Sequence, residues 1–288
     1  MSKSPSYGEL RELCLNEYNP WRNGGGRKTA MIYSGAFQKE HGSNFPAKNI
    51  TKKVMNNYQL ILEDLGNSDS TINRKTSAVS TILKFAYDIG EIDFQPPRFQ
   101  RRKEIGTIRK FYTKEQIERI AEVALNEFEN EPLHDITLVA AYTAMRQGEL
   151  LNMKAKDIDF LLNIIHVGGS SHNKTKTGNY RTVPISSRIK EILQTKCEYL
   201  APNDYVFRTD WASRHMLLKT FRNVTHRYLG FGEGYCFHSL RHSFGHLGVE
   251  ADISIRKIQK IMGHANINTT LRYADSSDKS LQEAIEKI

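Results

Sequence analysis

Residues 238–273 read HSLRHSFGHLGVEADISIRKIQKIMGHANINTTLRY, and the fold turns on how this stretch is parsed. Ile255, Ile258, Ile261 and Met262 recur at helical spacing, with Ser254 ahead of them as a cap and Gly263 after them as a stop. His264 is thereby left at a helix terminus. Asn266 or Asn268 can cap a further short helix that carries Tyr273. Upstream, His238 and Arg241 stand 3 positions apart, His264 follows 23 positions later and Tyr273 another 9. The same run offers a rival: His238, His242 and His246 fall at i, i+4 and i+8, which on a helix could hold a metal. No Asp or Glu lies within that run, and Arg241 would repel a cation, so His242 and His246 read as packing or supporting residues. From the local pattern alone, Tyr273 is also readable as a half-buried core tyrosine, the commoner fate of a helical Tyr.

Moving outward, Thr113 and Gln116 form a capping box that opens a helix over 114–128, with Ile117, Ile120, Ala121, Val123 and Ala124 on its apolar face. A more buried helix is expected over 134–145. Arg146 and Glu149 follow, three apart, a spacing that by itself is an ordinary surface ion pair. The character then changes to strand: DIDFL, IIHV and YRTVPI within 157–185 are rich in β-branched residues. Between the last two lies the polar run GGSSHNKTKTGN at 168–179, whose Lys174 and Lys176 would ordinarily be solvated loop lysines. Two or three helices are expected over 186–228. The tail 274–288 has a second capping box from Ser280 to Glu283 and reads as a short amphipathic helix, docked either on its own domain or on a neighbour.

Together these motifs resemble the tyrosine recombinases, also called the phage integrase family. The resemblance rests on H-x-x-R at His238 and Arg241, G-H at His264 and the late Tyr273. It extends to T-A-M-R-Q-G-E-L around Arg146, with Ala144 where the family usually has Gly, and to T-K-T-G followed by R-T-V-P-I. It implies a C-terminal catalytic domain in which Tyr273 attacks a DNA phosphate. Arg146 and Arg241 would clamp the non-bridging oxygens, His264 would hydrogen-bond a phosphoryl oxygen, and His238 would take the tyrosine proton or add a hydrogen bond. Lys176, or its neighbour Lys174, would protonate the leaving 5′-oxygen, and Glu149 would hold Arg146 in place. The chemistry has to come from side chains, because no cofactor and no metal are implied. A tyrosine with a pKa near 10 is only roughly 0.1% ionised at neutral pH and needs such help.

Composition fits a nucleic-acid partner. The 288 residues carry a net charge of +9, with a pI of about 9.3. Residues 1–110 hold 18 Lys and Arg against 11 Asp and Glu, so the first third carries most of the excess. That third shows four helical patterns, over 6–18, 27–40, 50–65 and 70–89, and no convincing strand. Lys52, Lys53, Arg74 and Lys75 lie on the last two of these, as either a solvated face or a set of phosphate contacts. Pro96 and Pro97 interrupt helix. The segment after them, with Arg98, Arg101, Arg102 and Lys103, reads as a basic linker able to follow a phosphate backbone. Three scattered cysteines argue against disulfides or structural zinc. No apolar run approaches a membrane span and no secretory signal opens the chain, so a cytoplasmic, DNA-associated protein is expected.

The expected class is therefore mainly α with a small antiparallel β-sheet. A helical DNA-binding domain (1–94), a basic linker (95–111) and a mixed α/β catalytic domain (112–288) would form a C-shaped clamp. The expected function is site-specific recombination, the integration or excision of a phage or mobile element through a 3′-phosphotyrosine. The partners implied are a double-stranded recombination site, a homotetramer on DNA from a monomer or weak oligomer when free, and DNA-bending accessory proteins. A Xer-type dimer resolvase, a type IB topoisomerase-like enzyme and a non-catalytic DNA-binding protein are the alternatives.

Overall fold

In the computed structural model the described residues are 4–22, 26–104, 110–168, 180–207 and 214–274. Lys174, Lys176 and the tail from residue 275 onward lie outside them. The chain divides into two compact units, Met1–Gly106 and Thr107–Ile288. No described helix is long and apolar enough to cross a membrane.

The first unit is helical among its described residues. Helix α1 (Tyr7–Glu17) starts at a capping box between Ser6 and Glu9, and α2 (Asn19–Arg22) is a single turn. Helices α3 (Arg27–His41), α4 (Lys52–Asp64) and α5 (Asp69–Asp88) complete the bundle. Tyr7, Leu10, Phe37, Met55, Tyr58, Leu62, Ile72, Val79 and Ile82 fill its core, as their 3–4 spacing requires. The close approach at Gly8 admits no side chain: a Cβ there would fall 2.8 Å from the Ser43 carbonyl oxygen.

The segment read from sequence as a basic linker is hydrogen-bonded to the first unit as far as Glu104. The Asn73 side chain brackets Arg102, accepting its backbone N–H at 2.9 Å and donating to its carbonyl at 2.9 Å. Gln59 donates to the Gln100 carbonyl at 3.0 Å. The Arg102 guanidinium meets Glu63 at 2.8 Å and Asp69 at 3.4 Å, so its charge serves to dock this strap on α4 and α5. Asn73→Ala should therefore release the strap. We expect backbone exchange at Arg102, followed by hydrogen–deuterium exchange, to rise by roughly tenfold, the equivalent of one net hydrogen bond of about 1.4 kcal/mol. An unchanged rate would show that the asparagine contributes nothing.

The second unit packs helices against a small sheet. Helix α6 (Lys114–Asn126) begins at the Thr113–Gln116 capping box, and α7 (Glu131–Thr143) lies beside it, buried on most of its faces. A short α8 (Gln147–Leu151) leads to strands β1 (Ile158–Asp159), β2 (Ile164–Val167) and β3 (Arg181–Pro184). These form an antiparallel sheet in that order, with Ile165 opposite both Ile158 and Val183, and Val167 opposite Arg181. Then come α9 (Ser187–Cys197), α10 (Arg214–Arg222) running into a π-helical turn (Asn223–Tyr228), α11 (Phe237–Glu250), α12 (Ile255–Met262) and α13 (Asn268–Ala274). Leu138, Val139, Leu150, Ile165, Val183, Leu217, Phe221 and Leu240 are among the side chains that close the core. The class expected from sequence, mostly helical with a small antiparallel sheet, is the one observed.

Candidate active site

The site is built at the C-terminal end of α12. The last carbonyls of a helix have no partner within it and carry the negative end of its dipole. Here three consecutive ones are taken by three arginines from three different elements. Arg181 on β3 donates from Nε to the Ile261 carbonyl at 2.8 Å. Arg241 on α11 donates to Met262 at 2.6 Å. Arg146, immediately before α8, donates to Gly263 at 3.2 Å. Gly263 is what lets the chain turn away at this point: its φ is +67°, and a Cβ would fall 2.9 Å from the Arg181 side chain.

Glu149 ties these cations together. Its carboxylate is 5% exposed and accepts from Arg181 at 2.7 and 3.2 Å, from the Arg146 guanidinium at 2.9 Å and from the Arg146 backbone N–H at 2.8 Å. Burial opposes its ionisation, yet the hydrogen bonds and charge of Arg181, and then of Arg146, hold the carboxyl at about 2. Arg241 is 4% exposed and also donates to the Ala144 carbonyl. Burial, and then the charge of Arg146, push its pKa down to about 9, which leaves it cationic at neutral pH. Ala144 sits where the family usually has Gly, and its φ of +53° explains that preference: Ala in this region costs about 1–2 kcal/mol. Arg146 has the most accessible guanidinium of the three, its side chain being 35% exposed against 8% for Arg181.

His264 follows Gly263, and its Nδ1 lies 2.8 Å from the Thr270 hydroxyl. Burial, and then the charges of Arg241, Arg146 and Arg181, push it down to about 4, so it is neutral at physiological pH. Tyr273 is 5% exposed and lies against α11. Its hydroxyl is 2.9 Å from Nδ1 of His242. His246 meets its ring edge-on at 5.1 Å between centroids, and the His264 ring stacks at 6.4 Å. The His238 and His242 rings are edge-on at 4.9 Å. Gly245 makes this seat possible, because a Cβ there would lie 2.6 Å from the tyrosine ring.

Arg146, Glu149, Arg241, His264 and Tyr273 thus converge, with His238 next to His242 on α11. Among the described residues no group of His, Cys, Asp and Glu is arranged to hold a metal. Sequence reasoning missed Arg181, Thr270 and Gly245 and gave His242 no contact with Tyr273. A signal existed for Arg181. It shares the inward face of β3 with Val183, and an arginine there needs a buried partner. Lys52, Lys53, Arg74, Arg98 and Lys103 are exposed on the first unit. Lys75 is half-buried and donates to Asn67 at 2.8 Å, and Arg101 pairs with Glu104 at 3.2 Å.

Clustered arginines and a neutral histidine beside a seated tyrosine have the chemistry to stabilise a phosphoryl transition state and to supply a nucleophile. The family model described as the phage integrase family matches residues 110–280. A tyrosine recombinase XerA of Pyrococcus horikoshii is 30% identical over 74% of this chain and 73% of its own length. The integrase of Escherichia phage P2 is 30% identical over 82% of this chain and 64% of its own. Among solved structures, the Tn1549 transposon integrase in complex with circular-intermediate DNA superposes with a TM-score of 0.80, covering 99% of both chains at 17% identity. A lambda integrase dimer bound to a core site gives 0.72 over 94% of this chain and 78% of that one, at 19% identity; at such identities the likeness concerns the fold. The chain belongs to the phage integrase family: it is a tyrosine recombinase, an enzyme that cleaves and rejoins DNA strands.

Proposed function

We propose that the protein integrates or excises a phage or mobile element, working as a homotetramer on paired recombination sites in the cytoplasm of a bacterial or phage-infected cell. The observation that carries this reading is the convergence of Arg146, Arg241, His264 and Tyr273 at the end of α12. Tyr273 attacks the scissile phosphate and becomes joined to its 3′ side. Arg146 and Arg241 neutralise the non-bridging oxygens, and His264 donates a hydrogen bond to one of them from Nε2, with Thr270 donating to Nδ1. Losing either arginine costs roughly 100- to 1000-fold in rate, as for other oxyanion donors. Lys176, or Lys174, protonates the leaving 5′-oxygen. The bond energy is kept in the phosphotyrosine, so rejoining needs no ATP.

Both units contact the duplex, the first through Lys52, Lys53, Arg74, Lys75, Arg98, Arg101 and Lys103. Lys52 and Lys53 occupy the first turn of α4, where the helix dipole disfavours cations. An external phosphate gives that placement a use. Arg102 contributes by holding the strap. DNA-bending proteins and the docking of the tail on a neighbouring protomer belong to the same proposal. A Xer-type dimer resolvase is the second reading, favoured by the Xer recombinase that stands beside the phage integrase at equal identity.

The test is to incubate the protein with a nicked candidate site in EDTA and map any covalent complex by peptide mass spectrometry. A phosphodeoxynucleotide on Tyr273 is expected. Activity abolished by EDTA, or an adduct on another residue, would overturn the mechanism.

A further inference from the structure

We infer that His242 is a catalytic residue, the base that takes the Tyr273 proton during cleavage and returns it on rejoining; this rests on Tyr273 being the nucleophile. The hydroxyl oxygen lies 2.9 Å from Nδ1 of His242, within reach for direct proton transfer. The contact is held from several sides. Gly245 leaves the space for the tyrosine ring, and His246 packs on the ring edge-on while itself stacking on Phe111 at 3.8 Å. The His242 ring is braced edge-on by His238. His242 also directly follows Arg241 on α11, so one helix supplies both a phosphate clamp and the base.

The step balances. With its own proton on Nε2, neutral His242 accepts the hydroxyl proton at Nδ1 as the tyrosine oxygen bonds to phosphorus. The bond from phosphorus to the 5′-oxygen breaks, and that oxygen takes a proton from the hairpin lysine ammonium. In rejoining, the 5′-hydroxyl returns its proton to the lysine amine and attacks phosphorus. The departing tyrosine oxygen then recovers its proton from the His242 imidazolium. No oxidant, reductant or further reactant enters.

The experiment uses the full chain and a nicked DNA site under single-turnover conditions, with the covalent complex measured over time. His242→Gln and His242→Asn keep a polar side chain of related shape and remove the base. Each is compared with wild type, with Tyr273 intact and with Tyr273 replaced by a difluorotyrosine of lower pKa. We expect the glutamine and asparagine variants to cleave roughly 100- to 10,000-fold more slowly at unchanged DNA affinity. Fluorination should recover about tenfold or more in each variant while changing wild type little, because an already acidic phenol needs no base. The fluorination effect is read within one background, so a partial loss of folded protein does not imitate it. Cleavage by both variants within threefold of wild type would overturn the assignment. So would a slowed rate that fluorination leaves unchanged, which is the signature of a packing role. Failure of Tyr273 itself as nucleophile is distinguished by adduct mapping, which would then place the phosphate on another residue.

Discussion

Arg181→Met should destabilise the catalytic unit by about 3–5 kcal/mol, the usual consequence of removing one partner from a buried ion pair. The arginine is itself buried and donates twice to Glu149 and once to the Ile261 carbonyl. Methionine of similar length fills the space but supplies none of these donors. Glu149 would keep only Arg146, whose guanidinium is the accessible one. The effect has a pH signature. The Glu149 carboxyl is depressed from 4.5 to about 2 in the fold, so its contribution is complete above pH 4.5 and is lost as pH falls toward 2. The gap between wild type and variant, measured by urea unfolding, should therefore be widest at neutral pH and close as the solution is acidified through that window. Equal unfolding midpoints at pH 7 would refute this account. Adding Glu149→Leu to Arg181→Met should restore part of the stability while leaving Arg146 unsupported and cleavage slow, separating the fold's use of the pair from the reaction's.

Tyr273→Phe should abolish the covalent complex altogether, since it removes the oxygen proposed to attack and leaves the buried ring in place. Gly245→Ala should come close to the same result with the hydroxyl still present. The added methyl would lie 2.6–2.7 Å from three ring atoms of Tyr273, well inside contact distance, and the ring must move to relieve it. A displacement of about 1 Å at a reacting atom costs roughly 100-fold, so covalent complex formation on a denaturing gel should fall by about that factor. DNA affinity should change little, because the nearest atoms to the added methyl are those of the Tyr273 ring. A Gly245→Ala enzyme that cleaves like wild type would mean that the tyrosine reacts from some other position. A Tyr273→Phe enzyme that still forms the complex would mean that it does not react at all.

Much of the fold was legible because the signals are local. The Thr113–Gln116 capping box, the 3–4 repeat of α12 with Gly263 as its stop, and the β-branched runs of β2 and β3 each depend on residues a few positions apart. The α12 stop had a consequence beyond secondary structure, because it set His264 at the helix end where the arginines gather. The strap is the counter-example. Residues 98–104 carry a linker's composition, and only the side chains of Gln59 and Asn73, about 30–40 positions upstream, reveal that the backbone is hydrogen-bonded in place.

What the sequence by itself determined is the helices and, through the family resemblance, the candidate groups Arg146, His238, Arg241, His264 and Tyr273, each at an element end or on a helix whose pattern can be read directly. Only the tertiary structure decided which groups act on which. Arg181 is bound to Glu149 across 32 positions, the Tyr273 hydroxyl meets His242 across 31, and three arginines share the carbonyls at one helix end. The physical reason is that a hydrogen bond or ion pair depends on separations of about 3 Å and on burial, and neither is encoded in spacing along the chain. Periodicity shows that a residue faces inward, but the packed fold selects the partner it meets there.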